Sequence, residues 1–281
     1  MACASRDQTL GTAPVPPRPL LRPTAETSQQ IEVPVEPRTH RALSFGSAAE
    51  RYDAFRPRPP DELAELLGGL KGAVALDVAA GTGLLSRFLA RLDAHVVAVE
   101  PDGRMAELIS RDDEGISVVL GAAESIPLAA STVDLVGVSS AWHWFDSDSA
   151  ASEIARVLRP RGQLIVLWNG VNYGSAEWLK EVRRLRTEVV ETRSPGRPRY
   201  SVDLPKGSPL AITDSRIINW TWPRSPSQFV SLLGTYSGPL TSDPTALSEF
   251  ASRAEEVADA VSDHGLLQIP MACVVVRAEK H

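Results

Sequence analysis

The chain has 281 residues, 43% of them hydrophobic, with a net charge of −6. That length suits one large α/β domain or two small ones, and the acidic balance argues against a nucleic-acid groove, which needs concentrated Lys and Arg. No apolar run approaches the roughly 20 residues that cross a bilayer, the first residues lack a secretion-signal core, and Cys3 and Cys273 stand apart without metal-type spacing. The expectation is a cytoplasmic chain with no membrane span, no disulfide and no metal site.

Residues 1–42 carry proline every few positions and no apolar periodicity, which predicts a disordered, polyproline-like tail. The folded part, 43–281, opens with "SFGSAAERYDAFRP", a short helix starting at Ser44 or Ser47 and stopped by Pro57 and Pro59. "PDELAELLGGL" is a second helix, with Pro60 near its first turn and glycines at its close. Strand and helix patterns then alternate. Strands are expected at 73–79, 95–100, 116–121, 133–140 and 163–169, and helices at 83–92, 102–111 and 147–158, the last ending in the turn "RPRG". Continuous apolar strands suit a sheet covered on both faces, and the βαβ order predicts a doubly wound parallel sheet. After Asn169 come a long helix ("GSAEWLKEVRRLRTEVVETR"), a Pro/Gly-rich loop at 194–209, and helical stretches at 226–234 and 243–262. Two late strands, 211–223 and 269–280, are expected to close the sheet edge as an antiparallel pair. The basic stretch 181–199 reads as a solvated helix face running into a loop, with an anionic substrate as the alternative it could face.

Between the first strand and the next helix lies "DVAAGTG", residues 77–83. A dinucleotide site usually needs G-x-G-x-x-G with the pyrophosphate on the helix N-terminus. Here Gly81 and Gly83 are followed by Leu84, Leu85 and Ser86, and the carboxylate of Asp77 at the head of the loop would repel a pyrophosphate. It suits a cofactor with an ammonium group and no phosphate. Glu100 closes the second strand, where a carboxylate can accept bonds from both ribose hydroxyls of an adenosine, and Pro101 follows to pack on the adenine. An adenosine bearing an amino acid is S-adenosylmethionine.

"LDVAAGTGLLS", "VVAVEPDGRM", "GAAESIPLAASTVDLVGVSSAWHWFD" and "EIARVLRPRGQLIVLWN", in that order, resemble the successive motifs of class I S-adenosylmethionine-dependent methyltransferases. The likeness is closest to the branch with "HWF" after the fourth strand, which includes small-molecule and trans-aconitate-like enzymes. It covers residues 45–170 well and the last third loosely. The resemblance implies a Rossmann-like α/β fold, a cofactor-binding half at about 43–170 and acceptor-side elements at about 171–281. It assigns Asp77, Ala79, Gly81 and Gly83 to the cofactor loop, Glu100 to the ribose, and Ala122, Ala123 and Glu124 to the adenine. Tyr52 and Arg56 fall in a segment that closes over cofactor and substrate in such enzymes, with Tyr52 as a lid and Arg56 expected among the cofactor-binding residues, pairing with the cofactor's carboxylate or with an anionic acceptor. Two positions depart from the pattern. Ala79 replaces a glycine, which matters only if its φ is positive, and Ala122 replaces a common acidic residue.

Methyl transfer from a sulfonium asks the protein mainly to hold nucleophile and methyl in line and dry. Trp142, His143 and Trp144 follow the fourth strand, at the edge where ligands bind in open α/β sheets, and are candidates to wall the acceptor pocket. His143 is the candidate general base, and none is needed for a carboxylate acceptor. The leading expectation is methylation of a small organic acceptor, such as a carboxylate. Two alternatives stand beside it: an NAD(P)-dependent oxidoreductase, and a silent cofactor-binding relative acting as a partner module.

Overall fold

A computed structural model of the chain describes residues 49–112, 115–189, 200–236 and 243–281. The proline-rich tail, both serines expected to open the first helix, and the start of the Pro/Gly-rich loop lie outside the described residues. The strands are β1 (Val74–Val78), β2 (His95–Glu100), β3 (Ser117–Leu120), β4 (Val133–Ser139), β5 (Leu158–Val171), β6 (Leu210–Arg224) and β7 (Leu267–Lys280). They form one sheet in the order β3-β2-β1-β4-β5-β7-β6. β1 to β5 pair in parallel, and β7 lies antiparallel between β5 and β6. The chain therefore builds the expected Rossmann-like sheet with an antiparallel pair at its edge.

The helices are α1 (Ala49–Phe55), α2 (Glu62–Leu67), α3 (Leu84–Ala90), α4 (Gly103–Asp112), α5 (Ser147–Val157), α6 (Glu177–Val189), α7 (Pro226–Leu233) and α8 (Pro244–Asp259). Their starts follow capping chemistry. Asp146 accepts from the Ser149 N–H ahead of α5, Ser225 and Gln228 form a capping box with Pro226 at the first turn of α7, and Asp243 caps α8 before Pro244. One expected turn is absorbed into a strand. β5 begins at Leu158, and the "RPRG" stretch bulges from it: Val133 pairs with Leu158 but Leu135 with Gln163. Arg161 sits at φ 64° to make this possible, so the side chains on both sides of the bulge stay in register.

Burial explains the apolar runs. One sheet face packs Leu76, Val78, Val136 and Val138 against Ile154 of α5. The other packs Ala75, Ala98 and Ile165 against Leu85 and Phe88 of α3. A third cluster joins α6, α7 and α8 to the end of β5, around Val171, Leu179, Phe229 and Phe250. β1 and β4 are neighbours whose chains leave toward opposite halves of the sheet. The crevice above their carboxyl ends is the topological switch point where open α/β sheets bind ligands.

Candidate functional site

The loop after β1 coils through alternate left-handed residues: Ala79 at φ 56°, Gly81 at 59° and Gly83 at 88°. Ala79 thus meets the condition under which its departure from glycine carries a cost, about 1 kcal/mol for a residue with a Cβ. At Gly83 a Cβ would also stand 2.9 Å from Cγ1 of Ile109 on α4, so a bare backbone is needed for α3 and α4 to approach.

Asp77 is fully buried beneath this loop. Ser86, one turn into α3, donates to its Oδ2 at 2.6 Å, while its Oδ1 is buried with no hydrogen-bond partner. Burial pushes the carboxyl up to about 7; the Ser86 hydrogen bonds oppose that rise, and the Glu100 carboxylate adds to it. Glu100 is 5% exposed. Its Oε2 accepts the Gly81 N–H at 2.8 Å and its Oε1 the Asp102 N–H at 2.9 Å. Burial raises this carboxyl too, against the pull of those two N–H donors. Glu100 therefore straps the loop to the end of β2, and each oxygen keeps a lone pair for a further donor.

Around this pair, Pro101 is exposed, Ala123 buried, and Ala122 and Glu124 half-buried. Glu124 accepts the Asp146 N–H at 2.9 Å, which anchors the start of α5. Leu120, a residue that sequence reasoning missed, pairs across from Glu100 and is 63% exposed.

The segment after β4 forms a 3-10 turn over Trp142–Trp144, whose successive side chains point about a third of a turn apart. Trp142, expected to line the acceptor pocket, is 3% exposed and packs against Phe145 in the core at a ring separation of 5.9 Å. His143 and Trp144 are half-buried with ring centroids 4.7 Å apart. The turn thus sends one aromatic inward and leaves the next two at the edge.

α1 is tied over the loop. Asp53 pairs with Arg87 of α3, and Arg87 also donates to the Thr82 carbonyl at 2.9 Å. Arg56 lies between two rings, 4.7 Å from the Tyr52 centroid and 4.4 Å from that of Tyr236, and donates to the Thr235 carbonyl at 3.1 Å. Asn169 donates to the Arg58 carbonyl at 2.8 Å and accepts from Trp220 at 3.0 Å, pinning the same segment over β5. Trp222 turns into the α6–α8 cluster. Sequence reasoning missed Ser86, Asn169 and Tyr236. For Ser86 a signal existed: nine residues after Asp77, it lies one turn into the helix that must start beside that carboxylate.

A model of the methyltransferase domain matches residues 76–166. An uncharacterized methyltransferase of Mycobacterium tuberculosis is 34% identical over 244 residues, which are 86% of this chain and 97% of the relative. The chain belongs to the methyltransferase family. A malonyl-[acyl-carrier protein] O-methyltransferase of Methylococcus capsulatus is 35% identical over 159 residues, 53% of this chain and 55% of that relative. A solved structure from Anaeromyxobacter dehalogenans, described as a candidate type II methyltransferase, superposes with a TM-score of 0.62 at 23% identity, covering 80% of this chain and 98% of that one. It shares the fold.

The methyltransferase takes its methyl group from S-adenosylmethionine, which replaces the nicotinamide alternative. The residues present fit that donor. The unpartnered Oδ1 of Asp77 offers a place for an ammonium, whereas a pyrophosphate would meet two buried carboxylates. Among the described residues no group of His, Cys, Asp and Glu could hold a metal ion, and no helix is long and apolar enough to cross a membrane.

Proposed function

We propose that this methyltransferase modifies a small organic acceptor in a site roofed by α1 and α7, with Asp77, Ala79, Gly81, Gly83 and Glu100 holding the donor. S-adenosylmethionine, when bound, supplies a methyl group on a sulfonium whose leaving group is already activated. Asp77 takes the donor's ammonium with its buried, unpartnered oxygen, and Glu100 takes the ribose hydroxyls with its remaining lone pairs. Pro101, Ala122, Ala123 and Glu124 flank the adenine, joined by the exposed Leu120. Tyr52 and Arg56 close above and exclude water, so that positioning carries most of the catalysis.

The observation that carries the small-acceptor reading is the Arg56 sandwich. It joins a helix at the start of the fold to Tyr236 and Thr235, well over a hundred residues later, and so covers the crevice at the carboxyl edge. A covered crevice suits a small molecule rather than a polymer. His143 and Trp144 form the acceptor wall, with His143 as base only for an acceptor that arrives protonated. A carboxylate acceptor needs no base, and the relative named an O-methyltransferase supports transfer to oxygen. The "HWF" likeness to the trans-aconitate-like branch belongs to the same proposal.

The test is isothermal titration with S-adenosylhomocysteine beside NADH, followed by transfer of labelled methyl from S-adenosylmethionine to a panel of small organic acids. We expect binding of the first ligand alone and label in an acid-soluble methyl ester. Label appearing only in added protein or RNA would overturn the small-acceptor reading.

A further inference from the structure

The basic helix α6 does not present its arginines to solvent alike. Arg184 is exposed and paired with Glu181 and Glu188. Arg186, two residues on and so about 200° around the helix, is 6% exposed. Its guanidinium lies 5.3 Å from the centroid of the Tyr236 ring, the same ring that Arg56 faces at 4.4 Å. Two arginines therefore share one aromatic ring. Among the described residues no ion pair joins a carboxylate to either of them.

Polar atoms in this cluster are left short of partners. Arg56 Nε is buried and makes no hydrogen bond, and the buried Tyr173 hydroxyl has no well-aligned one. Tyr173 stands just past the end of β5 and is itself buried. Burial, helped by the neighbouring Tyr236, pushes its phenol up to about 12, while the charge of Arg186, a hydrogen bond from Arg186 and the charge of Arg56 oppose that shift. A Cβ at Gly170 would lie 3.9 Å from the Tyr236 hydroxyl, which sets the cluster over the carboxyl end of β5, beside the crevice. A buried cation without a counter-ion, here Arg186 beside the half-buried Arg56 with its unpartnered Nε, is costly unless an anion completes it.

We infer that Arg56, Arg186 and Tyr173 form an oxyanion pocket that grips a carboxylate of the methyl acceptor. This rests on the small-acceptor reading above and deepens it. Guanidinium donors match the planar, two-oxygen geometry of a carboxylate, and the phenol adds a third donor. A carboxylate held this way has its charge neutralised and is a poor nucleophile, so it anchors the acceptor while a second group takes the methyl. The acceptor class is an organic acid with at least one further nucleophilic group, a dicarboxylate being the simplest.

The experiment titrates the full chain, saturated with S-adenosylhomocysteine, with malonate and separately with sulfate. Malonate should bind to the wild type, with sulfate competing weakly. Arg186→Gln and the milder Tyr173→Phe should each weaken malonate roughly tenfold or more, with S-adenosylhomocysteine affinity unchanged, and Arg186→Lys should fall in between. Malonate affinity unaltered in both variants, or no malonate binding by the wild type, overturns the pocket; sulfate binding without malonate overturns the carboxylate assignment. If Arg186→Gln instead weakens S-adenosylhomocysteine but not 5′-methylthioadenosine, the pocket holds the donor's own carboxylate and the acceptor assignment fails. Loss of S-adenosylhomocysteine binding in the wild type would refute the donor site itself, a distinct result.

Discussion

Replacing Asp77 with asparagine separates what its carboxylate does for stability from what it does for the donor. Burial raises the folded-state value from 3.8 to about 7, so between those values the folded protein keeps a proton that the unfolded chain releases. Stability therefore falls as pH rises from about 4 to about 7, and stays at its lower level above that. Three pH units correspond to about 4 kcal/mol at most, of which about 3 kcal/mol lies between pH 5 and pH 8. The amide of the variant carries no charge at any of these pH values, so Asp77→Asn should be more stable relative to wild type at pH 8 than at pH 5. At roughly 2–4 °C per kcal/mol for a domain of this size, the gap in Tm should widen by about 6–12 °C. Glu100, also raised by burial, repels the Asp77 carboxylate, so the variant also relieves that repulsion and the difference carries part of the pair's shared titration. Donor affinity moves the other way. Protonation of Asp77 removes the charge that meets the ammonium, so S-adenosylhomocysteine should weaken by up to about tenfold per unit below pH 7 in the wild type. It should be weak at every pH in the variant. Melts of the ligand-free proteins at pH 5 and 8, with titrations at pH 6, 7 and 8, give both curves. A Tm gap independent of pH would refute the burial argument, and wild-type affinity in Asp77→Asn would refute the ammonium assignment.

Ser86→Ala removes a hydrogen bond to a charged oxygen, of about 1.5–3 kcal/mol, so the pH at which donor binding is half lost should rise by about one to two units; an unchanged pH profile would show that Ser86 does not hold the charged form. Ala79→Gly should relieve the left-handed strain and raise Tm by roughly 2–4 °C in melts, with donor affinity kept, since about 1 kcal/mol is released. A fall in Tm would mean that added chain entropy outweighs the strain. Gly83→Ala should lower stability by about 1–3 kcal/mol in urea titrations through contact with Cγ1 of Ile109, and pairing it with Ile109→Ala, which removes that atom, should cost less than the sum of the two single changes. His143→Asn should leave donor affinity intact and, with a carboxylate acceptor, leave kcat nearly independent of pH near neutrality; a large loss of kcat would make His143 the base after all.

Much of the fold was already written in local pattern. β1, β2 and β4 are continuous apolar runs because each is covered on both faces, and that signal needs no partner to be legible. The candidate loop was legible for the same reason: Asp77, Gly81, Gly83 and Glu100 are set by the turn between one strand and one helix and by the end of the adjoining strand, all within 24 residues. The tertiary structure decided what depends on meetings between distant segments. Whether Trp142 or its two neighbours entered the core turned on a three-residue helix whose direction is fixed by the core beneath it. That Glu100 would strap the loop through the Gly81 N–H required the close approach of loop to strand. Above all, one arginine of three on α6 became buried, because β7 inserts between β5 and β6 and the third cluster folds α6 and α7 over the end of β5. There Arg186 meets Tyr236 and, through it, Arg56. Charge spacing along one helix carries no record of that encounter; only packing chooses which of its faces loses water.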